Sequence, residues 1–88
     1  MRAILEFLSR PGCHLCDDAR PLVHRAARFV RADVSEIDID PIDDLVADFG
    51  IRIPVVRWRD GDVIAEGVIE FAPLVKAAFR SRPGRGQT

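Results

Sequence analysis

Apolar positions along this 88-residue chain follow two rhythms, and the changes between them mark the elements. Ala3-Ile4-Leu5-Glu6-Phe7-Leu8 is a nearly continuous apolar run, the pattern of a buried strand. Ser9-Arg10-Pro11-Gly12 then reads as a turn, because proline presets φ and glycine supplies backbone freedom. From Cys13 to Val30 the apolar residues Leu15, Ala19, Leu22, Val23, Ala26 and Val30 recur at helical spacing and predict one buried helix face. Pro21 falls inside that helix and should kink it, since it removes a backbone donor. Val34 to Asp40 alternates and predicts a strand with Ile37 and Ile39 inward.

The second half continues in the same way. Asp40-Pro41 is the expected start of a short helix, with Asp40 as cap and Pro41 in the first position. Leu45, Val46 and Phe49 form its buried stripe, and Gly50 stops it. Ile51 to Trp58 reads as a strand, Arg59-Asp60-Gly61-Asp62 as a hairpin turn and Val63-Ile64-Ala65 as the return strand, broken by Gly67. A last helix is expected from Glu70 to Arg80 on Phe71, Leu74, Val75, Ala78 and Phe79. The order is βαβ, α, then ββα. It predicts an α/β domain over residues 1–80 with a mixed four-stranded sheet and helices on both faces. Residues 81–88, rich in Gly, Pro and Arg, are expected to form a disordered tail.

Composition narrows the function. Hydrophobic residues make up 48% of the chain, enough for a packed core. A formal net charge of −1 gives no overall pull toward nucleic acid or an anionic membrane. Arg57-Trp58-Arg59 fits strand alternation, with Val56 and Trp58 on one face, better than a nucleic-acid patch. No apolar run approaches the roughly 20 residues of a membrane span. Met1-Arg2 leads straight into the first strand, so a cytoplasmic location is expected, where thiols stay reduced unless they cycle.

The only two cysteines stand in Cys13-His14-Leu15-Cys16, between the first strand and the first helix. A helix N-terminus carries unpaired N–H groups and a partial positive charge, which favour thiolate over thiol. A cysteine placed there can fall from a pKa of about 8.5 to about 3.5–7.5. A second cysteine one turn along can close a disulfide with it, so the pair reads as a redox site with Cys13 and Cys16 as the reacting residues. A zinc site would need four ligands. His24, the only histidine besides His14, lies over two helical turns beyond Cys16, roughly 12 Å away. The alternative left open is an iron–sulfur cluster or metal carrier that uses Cys13 in a dimer. His14 either holds the Cys13 thiolate when charged or is an exposed first-turn residue.

With Pro21 eight residues after Cys13, and with Arg52-Ile53-Pro54-Val55 opening the third strand, the chain resembles the thioredoxin superfamily. Within it, the chain is similar to the small glutaredoxin-like proteins, with Pro11-Gly12-Cys13 before the second cysteine. The middle pair is His14-Leu15 where glutaredoxins usually have Pro-Tyr. The resemblance implies a thioredoxin fold and a thiol–disulfide oxidoreductase, with Cys13 as nucleophile and Cys16 as resolving thiol. It implies a cis Pro54 facing the pair, with the backbone of Ile53 open to an extended substrate. Arg10 corresponds to a lysine near the carboxylate of glutathione. Gly67 and Glu70 either line a substrate edge or form a plain strand-to-helix turn. The substrates implied are protein or small-molecule disulfides. The implied reductant is glutathione, another low-molecular-weight thiol or a flavoprotein reductase, with no tightly bound cofactor and the chain a monomer.

Overall fold

The structure is a computed structural model and describes residues 2–59 and 61–83. Four strands, β1 (Ile4–Ser9), β2 (Asp33–Asp38), β3 (Val55–Trp58) and β4 (Val63–Glu66), form one sheet in the order β2-β1-β3-β4. β1 runs parallel to β2 and antiparallel to β3, and β3 runs antiparallel to β4. The mixed α/β sheet and element order β-α-β-α-β-β-α are those expected from the sequence.

The pleat of β1 sends its side chains into two separate cores. Leu5 and Phe7 join Val56 and Trp58 under α1 (His14–Phe29) and α3 (Phe71–Arg80), which contribute Cys16, Ala19, Val23, Ala26, Leu74 and Ala78. Leu8 and Val55 face the other way and pack with Ile39 and with Phe49 of α2 (Asp43–Phe49). Helices therefore cover both faces. Glu6 also sits on the α2 side, buried, and one carboxylate holds two guanidiniums: Arg57 Nε at 2.8 Å and Arg59 Nε at 3.0 Å. Burying a charged group is costly unless it is paired and hydrogen-bonded, as this one is.

Several boundaries differ from the sequence expectation. β2 ends at Asp38, yet Ile39 is completely buried: its amide donates to the Ser9 carbonyl (2.9 Å) and the side chain drops beneath the sheet. α2 starts at Asp43, two residues beyond Pro41, and its N-cap is Ile42, without a side-chain hydrogen bond. Asp40 does not cap it; its carboxylate is held by Arg10 instead. Ile51 and Arg52 belong to a turn, not to β3, and Ile51 is fully exposed. Their alternation with Ile53 imitates a strand, but the amides of Arg52 and Ile53 both donate back to the Phe49 carbonyl.

The hairpin joins β3 to β4 through Gly61, whose amide donates to the Trp58 carbonyl at 3.1 Å; Asp60 lies outside the described residues. Of the segment expected as a tail, Ser81 donates to the Ala77 carbonyl, and Arg82 donates to the carbonyls of Val30 and Arg31 at the end of α1. Residues 84–88 lie outside the described residues.

Candidate redox centre

Three connections meet at one end of the sheet. The β1–α1 turn leaves from Ser9, whose neighbour Leu8 pairs with Val55, the first residue of β3. Pro54 therefore enters β3 beside the turn that carries Cys13. Val55 pairs in turn with Glu66, and the Gly67 amide donates to the Pro54 carbonyl at 2.9 Å. The sheet register alone thus gathers the cysteine turn, the Ile53-Pro54 peptide and Gly67 at one end of the sheet. The Ile53-Pro54 bond is cis, and Pro54 is buried. Gly67 has φ +72°, a left-handed conformation that favours glycine.

Cys13 is the N-cap residue of α1, with extended backbone, and its sulfur accepts a hydrogen bond from the Cys16 amide at 3.1 Å. That amide is one of the orphan donors of the first turn, so the cysteine does what serine or aspartate usually does at this position. Cys13 and Cys16 are joined in a disulfide, with Cα atoms 5.1 Å apart. Cys13 is half-buried and Cys16 has no exposure at all. An incoming reagent therefore meets the Cys13 sulfur first. Ile53 packs against the same core as the two cysteines.

The other residues predicted for the site are placed as follows. His14 is almost fully exposed, with Nε2 3.7 Å from Asp18 Oδ2 one turn on. Arg10 is at the sheet end, but its Nε (2.7 Å) and Nη2 (2.6 Å) both lie on Asp40 Oδ1. The Ile53 amide is not open to a substrate: it donates to the Phe49 carbonyl at 3.1 Å.

A polar network beside the turn was not anticipated from sequence. Buried Ser9 donates to Glu36 Oε2 at 2.9 Å, and Arg20 grips the same carboxylate through Nε and Nη2 (2.7 Å) while its Nη1 reaches Asp17 (3.0 Å). The Arg20 hydrogen bonds hold Glu36 below the usual carboxylate range, and Glu36 with Asp17 raises the Arg20 guanidinium in turn. Together with Arg10, Pro11 and Asp38 these residues line a cavity of about 180 Å³ on the flank of the redox turn. On the other flank Arg52 is held by Glu66 (Nη2–Oε2 2.6 Å), which lowers the Glu66 pKa. Apart from Arg20–Asp17, which are three residues apart, these pairs join residues 14 or more positions apart, so no local sequence signal announces them. Among the described residues, no three His, Cys, Asp or Glu side chains converge as a metal site would require.

A four-stranded mixed sheet, a disulfide-bonded Cys-x-x-Cys at the start of the first helix and a cis-proline at the same sheet end define a thioredoxin-fold protein. Residues 4–80 match the family model described as a glutaredoxin-like domain (DUF836), and the chain belongs to that family. No curated protein matches the sequence. Among solved structures, a structural-genomics target protein from X. campestris superposes with a TM-score of 0.74 at 25% identity, over 86% of this chain and 96% of that one. A mutant thioredoxin from Halobacterium salinarum gives 0.65 at 25% identity, over 85% and 70% of the two chains. Thioredoxin 1 from Thermosipho africanus gives 0.62 at 17% identity, over 88% and 91%, a likeness of fold. Among the described residues no helix is long and apolar enough to cross a membrane.

Proposed function

We propose that this protein is a thiol–disulfide oxidoreductase that reduces disulfides through Cys13 and Cys16. The observation that carries the reading is the unequal exposure of two bonded sulfurs at a helix start: Cys13 reachable at the N-cap, Cys16 sealed in the core. In the reduced form the Cys13 thiolate keeps the Cys16 amide as hydrogen-bond donor and lies in the positive field of α1. It attacks one sulfur of a substrate disulfide, forming a mixed disulfide and expelling the other sulfur as a thiolate, which takes up a proton. Cys16 then loses its proton and attacks the Cys13 sulfur. The Cys13–Cys16 bond forms, the second substrate thiolate leaves, and two electrons have passed to the substrate. An external thiol, glutathione included, or a flavoprotein reductase returns the pair to the dithiol. Gly67 and Ile53 border the path of an extended substrate.

The test is substitution of each cysteine. Cys13→Ser should abolish reduction of insulin or a small disulfide. Cys16→Ser should accumulate a mixed disulfide at Cys13 that mass spectrometry detects and dithiothreitol releases. Unchanged turnover in Cys13→Ser, or adducts only at Cys16, would reject the assigned roles.

A further inference from the structure

A net charge near zero conceals a strong separation of charge. At the redox end, Asp17 and Asp18 lie in the first turns of α1, Asp38 ends β2, Asp40 follows it, and Asp43 and Asp44 open α2; all six are exposed. Three arginines lie at this end, and each is held by carboxylates: Arg10 by Asp40, Arg20 by Glu36 and Asp17, Arg52 by Glu66. The opposite end carries arginines that form no ion pair among the described residues. Arg25, Arg28 and Arg31 are exposed along the last turns of α1 and just beyond, and Arg80 ends α3. The 16 residues of α1 put the two poles about 24 Å apart. The Debye length at physiological ionic strength is about 8 Å, so a group docking at Cys13 is governed by the acidic residues and screened from the distant arginines.

The same end of the sheet also carries exposed apolar side chains. Ile51 is fully exposed, Val68 is 75% exposed beside Gly67, and Leu15 is 43% exposed between the cysteines. Exposed apolar side chains beside a group of like charges fit a polypeptide and not a small anion.

Taking thiol–disulfide exchange at Cys13 as given, we propose that this polarity selects the substrate: a polypeptide disulfide with apolar residues at the cysteines and lysine or arginine flanking them. Anionic disulfides, oxidised glutathione among them, are disfavoured. Arg10 would meet a substrate carboxylate with its charge already matched by Asp40, and Arg52 with its charge matched by Glu66. Electrostatic complementarity of this kind acts mainly on the rate of encounter, by factors of about 10 to 1,000 at low salt.

Two synthetic peptides of equal length, each with one disulfide beside apolar residues, test the proposal; one is flanked by lysine and the other by glutamate. Each rate with the reduced full-length protein is divided by the rate of the same peptide with 2-mercaptoethanol, which removes differences in intrinsic reactivity. The lysine peptide should react at least about 10-fold faster at low salt, and the ratio should fall toward one near 1 M, where the Debye length is about 3 Å. Oxidised glutathione should behave like the glutamate peptide. Asp43→Asn with Asp44→Asn should shrink the ratio, whereas Arg25→Gln with Arg28→Gln at the far pole should leave it unchanged. Equal rates, a faster glutamate peptide or a ratio indifferent to salt would overturn the charge selection alone. Reduction of neither peptide would remove the exchange reading, and this proposal with it.

Discussion

At the scale of single residues, the Glu36 carboxylate is the best-connected group near the redox turn. Two nitrogens of Arg20 and the hydroxyl of a buried serine converge on it. Each bond favours the charged form, so folding lowers its pKa from the model-compound value of 4.5. A group whose pKa is lower in the folded state stabilises the fold above its unfolded pKa and loses that contribution as pH falls through the folded value. Glu36→Gln should therefore cost about 1 kcal/mol near pH 7, tempered by the one-third exposure of the side chain. The gap from the native chain should close below about pH 4 as the native carboxylate itself protonates. Urea unfolding at a series of pH values measures it, and a gap of constant size would show that the loss comes from packing and not from charge.

At the scale of elements, α1 turns a cysteine into a chemical group. Its first-turn amide on the Cys13 sulfur and its dipole together should bring the alkylation midpoint of the reduced protein below the value of about 8.5 for a free thiol. In urea the helix is gone and the midpoint should return to that value. A native midpoint at or above 8.5 would deny the helix any part in the reactivity. This arrangement was legible in the chain: a strand pattern, a Pro-Gly turn and helical spacing after Cys13 place the cysteine at a cap without any long-range information. The hairpin at Gly61 and the stripe of Leu74, Val75 and Ala78 in α3 were legible for the same reason. Asp40 was not. By local rules it is a good helix cap, but Arg10, 30 residues earlier, holds its carboxylate, and α2 starts beyond it on Ile42. Ile51 misled in the opposite way, since alternation shows a strand only if the alternate residues are buried, and here one is wholly in solvent. The networks around Glu36, Glu66 and Glu6 depend on sheet register and could not be read in advance.

At the scale of the whole molecule, the two cores share a strand. Leu5 and Phe7 belong to the core under α1 and α3, and Leu8 to the one under α2, so neither can lose its helices while β1 keeps its full set of contacts. β1 is also paired on both sides, by β2 and β3, and its last residues place the redox turn. Such sharing predicts one cooperative unfolding event and not a separate loosening of the α2 side. Trp58, the only tryptophan, is fully buried in the larger core and reports its opening by fluorescence, while far-ultraviolet circular dichroism reports all the elements. The two urea transitions should coincide. Leu74→Ala in the larger core and Phe49→Ala in the smaller should each shift both signals together, with losses of about 2–5 kcal/mol. If Phe49→Ala moved the circular dichroism transition and left the Trp58 transition in place, α2 would be an independent unit. Ile53, which packs on the smaller core and donates to the Phe49 carbonyl, would then be uncoupled from the sheet that carries Cys13.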